Sequence, residues 1–441
     1  MNPILRHMAR AFVGLSLLAL PATAEINIQT VTSPGGITAW LVEEHGIPFT
    51  ALNIRFQGGT SLDRPGKRGA VNLMTALIEE GAGDLDSQGF ANARDGMAAE
   101  FHFSSDADGV GVASKFLTEN RDQAVDLLRS ALTQPRFDPD AVERVRGQVL
   151  AGLRSDEKDP DAIASRLMRA RNFGDHPYAT VGDGTIDSVT ALTRDDILAA
   201  NTDSLARDRI FVSAVGDITA AELGPLLDHL LGDLPATGAP LPTRATLNET
   251  GGVKVVDFPG PQSSVTFGQG GIRFDDPDYF AAAILNEILG GGRFTARLMN
   301  EVREKRGLTY GIGTGLASSD YAETLTGHFS SANEKVAEAI DVVRAEWTKI
   351  AKDGVTQTEL DATKTYMTGA YPLRFDGNEQ IASILVGMQI LGLPADYPAT
   401  RNQRVDAVTL DDVKRVAAAL IKPGNLFFVV VGQPVGITST E

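Results

Sequence analysis

Cysteine is absent from all 441 residues. That one absence excludes disulfides, cysteine-ligated iron–sulfur clusters and thiolate zinc sites. Positive charge is scarce: 40 Lys and Arg stand against 57 Asp and Glu, giving a formal charge of −17. Such a balance argues against nucleic acid and anionic membranes. It mildly favours basic peptides, and it equally serves to keep a chain soluble. No apolar run reaches the roughly 18 residues that a bilayer-spanning helix needs. Histidine is thinly spread. Beyond Ala24 it occurs at His45, His102, His176, His229 and His328, no two within one helical turn. An H-x-x-x-H ligand pair is therefore missing. Each histidine reads as a surface, turn or core residue, His176 within a Gly174-Asp175-His176-Pro177-Tyr178 turn.

Residues 1–24 carry the marks of a secretory signal. Arg6 and Arg10 give the positive start, residues 11–20 are almost unbroken apolar, and Ala22-Thr23-Ala24 supplies an A-x-A cleavage site. With no cysteine to accept a lipid, the expectation is a soluble exported chain, periplasmic if the host is Gram-negative. Cleavage after Ala24 would remove Arg6 and Arg10 and no acid, taking the formal charge from −17 to −19. The length that remains, 25–441, points to at least two domains.

Sliding the chain against itself exposes an internal repeat. Thr193-Arg194-Asp195-Asp196-Ile197 falls on Thr409-Leu410-Asp411-Asp412-Val413, and residues 211–216 fall on 427–432 at the same offset. In each copy a Thr-x-Asp-Asp helix start leads to a β-run ending in glycine, with Thr193 and Thr409 as N-caps. The period is too long for a solenoid and reads as a domain duplication. The expected layout is a first half at 25–235, a Pro/Gly-rich linker at 236–250 and a second half at 251–441. Leu426-Phe427-Phe428-Val429-Val430-Val431 looks like a strand covered on both faces. Residues 121–132 read as an amphipathic helix burying Ala124, Val125, Leu127, Leu128 and Leu132. The fold class is α+β: two homologous tandem domains, each a two-layer unit of mixed sheet covered by helices.

These features resemble the pitrilysin/insulinase-type zinc metallopeptidases, the family of the mitochondrial processing peptidase subunits. The resemblance runs through Gly58-Gly59, Phe137-Asp138, Asp175-His176-Pro177-Tyr178, Val215-Gly216-Asp217-Ile218 and the segment 293–310. It implies a chamber for unfolded peptides, enclosed by two such chains or one of double length. The family's active-site helix reads G-x-x-H-x-x-E-H. Here Gly69 is followed by Asn72, Thr75 and Ala76 at the ligand and base positions. The family's third ligand, a glutamate on a later helix, falls on Gly152. Asparagine is a poor zinc ligand, threonine is no carboxylate base, and alanine and glycine offer no side-chain donor. The resemblance therefore implies a degenerate metal site, with no metal held by this chain. Glu79-Glu80-Gly81, just beyond, reads as solvated acids at a helix C-terminus rather than as a displaced catalytic carboxylate.

The second half keeps a positive signal. Residues 293–303 read as a helix with Phe294, Leu298 and Val302 on one side, Gly307 as its C-cap, and 308–312 as strand. An Arg and a Tyr seven residues apart face the zinc site across the chamber in the family, and they match Arg303 and Tyr310. A guanidinium can hold a carbonyl or carboxylate, and a phenol can donate to an oxyanion, each such donor contributing roughly 3–4 kcal/mol to a transition state. The plain alternative is Arg303 answering a helix dipole and Tyr310 as an ordinary strand aromatic. Gly290-Gly291-Gly292 is a candidate substrate loop by the resemblance and a flexible helix start by its composition; it lacks the phosphate-loop pattern.

The expected function is the non-catalytic, substrate-binding subunit of a secreted heteromeric zinc metallopeptidase, inactive alone. A homologous partner with an intact H-x-x-E-H supplies the zinc, and this chain contributes Arg303 and Tyr310. Two other readings stay open: a scaffold of the same fold with no part in proteolysis, and an autonomous metallopeptidase with a non-standard metal site.

Overall fold

The computed structural model describes residues 26–440, so the secretory-signal reading at 1–24 lies outside the described residues. Strands β1 (Gln29–Thr32), β2 (Thr38–Glu43) and β3 (Phe49–Gln57) precede helix α1 (Ala70–Leu77). A short hairpin, β4 (Gly81–Ala82) with β5 (Leu85–Asp86), leads into α2 (Ser87–Gly96) and then β6 (Glu100–Ser105) and β7 (Gly109–Leu117). Helices α3 (Arg121–Thr133), α4 (Pro139–Asp156), α5 (Pro160–Phe173), α6 (Ile186–Ala191) and α7 (Arg194–Ser204) follow. Strand β8 (Ile210–Gly216) and helix α8 (Ala220–Leu231) close the first half.

The second half repeats the series. It runs β9 (Gly252–Asp257), β10 (Gln262–Gly270), α9 (Tyr279–Gly290), β11 (Ile312–Ser318) and β12 (Glu323–Ala332). Then come α10 (Val336–Asp353), α11 (Gln357–Ala370), α12 (Asn378–Ile390), α13 (Tyr397–Ala407), α14 (Leu410–Leu420) and β13 (Phe427–Gly432). The sheets have the same order, β2-β8-β3-β7-β6 and β9-β13-β10-β12-β11, with β1 added at the edge of the first. In each sheet one pair is parallel, β2 with β8 and β9 with β13, and the other pairings are antiparallel. Both sheets are therefore mixed. Between the halves, residues 232–251 form no helix or strand but are tied down, Ala245 N–H to the Tyr321 carbonyl (2.9 Å) and Asn248 N–H to that of Asn172 (3.0 Å).

Local signals explain the matched helices. The Thr193 hydroxyl accepts from Asp196 N–H while Asp196 accepts from Thr193 N–H; Thr409 and Asp412 repeat the arrangement. Each box satisfies two otherwise orphaned donors at a helix start. In α3, the five expected apolar positions are buried together with Ala131.

The halves interlock through an exchange of helices. Ile163, Ala164 and Met168 of α5 pack on Phe427, Val429 and Val431 of β13, in the other half. Reciprocally, Ala382, Leu385 and Met388 of α12 pack on Ala51 of β3 and Val215 of β8. Polar bonds fix both contacts: Ser213 Oγ donates to the Ala382 carbonyl (2.7 Å), Gln389 Nε2 to that of Val212 (2.9 Å), and Ser264 Oγ to the Asp161 carboxylate. Phe428 and Val430 meanwhile face the second half's own helices, so β13 is buried on both faces.

Helix α1 begins at Gly69 with φ of 90° and no side-chain cap. Asp63 takes over that task, accepting from Gly69 N–H (2.8 Å) and Val71 N–H (2.9 Å). Its side chain is fully buried, with Arg68 Nη1 at 3.5 Å. Burial pushes the carboxyl up from 3.8 to about 6, against the pull of the amide donors and Arg68.

Ile163→Ala and Leu385→Ala should each cost about 2–4 kcal/mol, the range for truncating a buried aliphatic. Trp40 lies in the first sheet and Trp347 in α10 of the second half, so Trp→Phe backgrounds allow each half to be followed by fluorescence. Midpoints reported by the two tryptophans should move together in urea; separate movement would show halves that fold independently. Asp63 makes a second prediction. Because its folded pKa is raised, its contribution is fully present below about pH 4 and is lost as pH rises through about 6. The stability of the wild type relative to Asp63→Asn should fall across that window by about 3 kcal/mol. A difference that stays flat with pH would mean that Asp63 does not titrate there.

Candidate functional site

Helix α1 packs against α4 and β6 and carries three of the four positions singled out above. Asn72 is half-buried, its Oδ1 3.4 Å from Ser105 Oγ on β6. Thr75 is buried, and its hydroxyl donates to the Val71 carbonyl one turn back (2.8 Å). Ala76 is exposed. Gly152 is exposed on α4, and a Cβ there would meet nothing within 4 Å. Packing thus does not demand glycine at 152; a longer side chain would fit. What remains is an amide oxygen and a hydroxyl already engaged, which is no ligand set for zinc. Among the described residues, no group of three or more His, Cys, Asp or Glu is placed to hold a metal ion.

The neighbouring acids correct a sequence expectation. Glu79 and Glu80 are not free in solvent: Glu79 pairs with Arg94 (2.8 Å), and Glu80 accepts from Arg144 Nη1 (3.0 Å) and from Ser87 Oγ. The Arg144 hydrogen bond holds the Glu80 carboxyl below its usual range. Both charges are committed to ion pairs. His176 does act within a turn, its Nδ1 accepting from Tyr178 N–H (3.1 Å) and its Nε2 facing the Thr243 carbonyl (2.9 Å).

The segment 290–312 departs from the expected helix and strand. Gly290 ends α9, and a Cβ there would lie 2.5 Å from Thr314 Oγ1 on β11, so close packing requires glycine. Gly292 has φ of 83° with open space around it, a backbone state that favours glycine. Gly291 links the two. Residues 293–296 form a turn, not the first turn of a helix. The Arg293 guanidinium is held by Glu287 (2.7 Å) and lies over the Tyr366 ring (4.4 Å), which anchors that turn to α9 and α11. Helix follows only from Arg297, and over Met299–Glu304 it widens into a π turn, with Lys305 N–H bonded to the Asn300 carbonyl five residues back (3.0 Å). Leu298 and Val302 are fully buried, but Phe294 is 65% exposed and does not share their face.

Phe294 has another role. The Arg303 guanidinium sits over its ring at 4.7 Å and donates to Glu304 Oε1 (2.7 Å). Tyr310 lies in a bend and is 90% exposed; β11 starts only at Ile312. The cause is Thr309, whose hydroxyl donates to the Ser330 carbonyl (2.7 Å) and accepts from Gly311 N–H (3.2 Å), turning the chain before the ladder begins. The structure brings Arg303 onto Phe294 and leaves the Tyr310 phenol in solvent. Among the described residues, no hydrogen bond or ion pair joins Arg303 to Tyr310, or either to α1. The Phe294–Arg303 pairing escapes a sequence reading because no helical spacing links positions nine apart.

Comparison with known proteins gives this geometry its context. Residues 40–181 match the insulinase family (peptidase family M16), and residues 191–367 match the peptidase M16 inactive domain. A Helicobacter pylori protein named a non-peptidase homolog, YmxG, is 26% identical over 395 residues, covering 89% of this chain and 90% of its own. The mitochondrial-processing peptidase subunit beta of Neurospora crassa is 20% identical, covering 99% of this chain and 92% of its own. Among solved structures, a peptidase M16 inactive domain from Pseudomonas fluorescens superposes with a TM-score of 0.87 at 28% identity, over 94% of this chain and all of that one. The likeness extends over both halves and their connection. With the fold kept from end to end and the ligand positions emptied of donors, this chain belongs to the insulinase family of peptidases, as a peptidase-like, non-catalytic member.

Proposed function

We propose that this chain is the substrate-binding, non-catalytic subunit of an exported heteromeric zinc metallopeptidase. A homologous chain with an intact H-x-x-E-H holds the zinc and its nucleophilic water, and unfolded peptides are the substrate. This chain holds no metal and contributes Arg303 and Tyr310. The compartment is the periplasm where the host is Gram-negative. The observation that carries the reading is the contrast between the two segments. The α1 positions carry no zinc ligand set and no carboxylate base, while Tyr310 presents an accessible phenol and Arg303 a guanidinium steadied by Phe294. A phenol so exposed stabilises nothing within its own chain, and it is free to reach a molecule outside it. The relative named a peptidase subunit is consistent with work done by more than one chain.

The test is cleavage of a quenched fluorescent peptide library by this chain, by a candidate H-x-x-E-H partner and by their mixture. Activity should appear only in the mixture and be abolished by chelator. Tyr310→Phe or Arg303→Ala should lower kcat about 100-fold while leaving assembly intact, the usual cost of one oxyanion donor. Full activity of both variants would reassign the chain as a scaffold. Chelator-sensitive cleavage by this chain alone would overturn the proposal in favour of an autonomous enzyme.

A further inference from the structure

A cavity of about 390 Å³ lies in the second half, between α9, α11, α12 and α13. That is within the size range of small-molecule sites. Its walls are aromatic: Phe274, Tyr279, Phe280, Tyr371 and Tyr397 line it, with Met367 among the aliphatic contacts. Its charged lining residues are Arg374 and Arg401, with no aspartate or glutamate. For a chain with 57 acids and 40 bases, that is a reversal of the overall balance.

Neither cation is neutralised from within. Arg401 lies over the Tyr371 ring at 4.6 Å, and its Nη1 donates to the Met367 carbonyl (2.8 Å) and to Asn402 Oδ1 (3.1 Å), both neutral. Arg374 is exposed and makes no ion pair with a described residue. Arg401 also hydrogen-bonds the Tyr397 phenol oxygen, again a neutral partner, and the phenols of Tyr279 and Tyr371 donate to no described residue. Burial pushes the Tyr371 phenol up to about 12, so it stays protonated as a donor at neutral pH. An adjoining cavity of about 650 Å³ shares Phe274, Phe280, Leu391 and Leu393, but its charged lining is Asp275, Asp276, Asp278, Asp412 and Arg404, with Asp275 and Asp278 paired to Arg273 and Arg415. That cavity carries more acid than base, whereas the one beside Arg401 carries base alone.

We propose that the cavity between α9, α11, α12 and α13 binds a small amphipathic carboxylate, its apolar body against the tyrosine and phenylalanine walls and its anionic end on Arg401 and Arg374. Aromatic faces bury the body, while guanidinium and phenol donors fix the charge, since charge-assisted bonds to a carboxylate are the strong ones. A free alkyl acid and an aryl amino-acid carboxylate both have this chemistry. The inference stands apart from the subunit reading, because it uses none of the residues at 290–312.

Isothermal calorimetry on the exported chain, residues 25–441, tests it with decanoate, N-acetyl-phenylalanine and the uncharged N-acetyl-phenylalaninamide. At least one carboxylate should bind, and which one distinguishes the two sources. N-acetyl-phenylalanine should bind at least about tenfold tighter than its amide if the aryl source is the match; decanoate should bind at least about tenfold tighter than octanol if the alkyl source is. Arg401→Gln and Tyr397→Phe should each weaken the preferred acid several-fold. Arg374→Gln provides the arm least able to disturb folding, its side chain being exposed, and should weaken the acid without moving the melting temperature. No heat from either acid at millimolar concentration would overturn the proposal. So would equal affinity for acid and neutral analogue, or Arg374→Gln and Arg401→Gln both binding as wild type.

Discussion

The reciprocal loan of α5 and α12 is the contact on which the rest of the molecule depends. A sheet with helices on one face leaves its other face to water unless something covers it. Here each half covers the other: α5 lies on β13, and α12 lies on β3 and β8. The consequence is written into the strands. Phe427, Val429 and Val431 serve the borrowed helix, while Phe428 and Val430 serve the home core. A strand with two apolar faces cannot alternate with polar residues, and β13 does not. Ser213 and Gln389 add hydrogen bonds that a merely greasy contact would lack, fixing where along the sheet α12 must sit.

That interlock explains how the chain could lose a metal site without losing the fold. None of the core clusters includes Asn72, Thr75, Ala76 or Gly152. Ala76 and Gly152 are exposed, so replacing a histidine and a glutamate there leaves no cavity. Thr75 turns its hydroxyl back onto its own helix, which satisfies it without outside help. The helix start is held by Asp63, a residue outside the metal motif altogether. Chemistry and stability rest on different residues here, and the first could go while the second stayed.

Much of this is legible in the residue pattern, and the parts that are not share a physical cause. The internal repeat, the capping boxes at Thr193 and Thr409, the buried face of α3 and the doubly covered β13 are all local patterns with a period or a fixed offset. The helix exchange is not local. Doubly apolar β13 announces a cover, but nothing along the chain says that α5, which belongs to the other half, provides it. The segment at 293–312 misleads for another reason. Its apolar spacing favours a helix, yet Arg293 is drawn to Glu287 and Tyr366, and Thr309 turns the chain before β11. In both places one side chain's partner, not backbone propensity, decides the conformation. Glu79 and Glu80 mislead likewise, because Arg94 and Arg144 arrive from other helices.

The arrangement of Arg303 bears on what the subunit proposal asks of that residue. A bare arginine on the surface is mobile, and fixing it on encounter with a substrate costs conformational entropy. Here the Phe294 ring and Glu304 have already restricted it. A guanidinium has five N–H donors, and Glu304 is reached from Nη1 alone, so the remaining edge can meet a carbonyl without breaking the existing pair. The widened turn at Met299–Glu304 contributes to the same end, because it re-aims the side chains that follow Leu298 while Val302 stays buried. Phe294 is exposed at a cost the fold does not recover, since it joins neither Leu298 nor Val302 in the core. What it gains instead is the contact with Arg303, holding one positive charge in place on a strongly acidic chain.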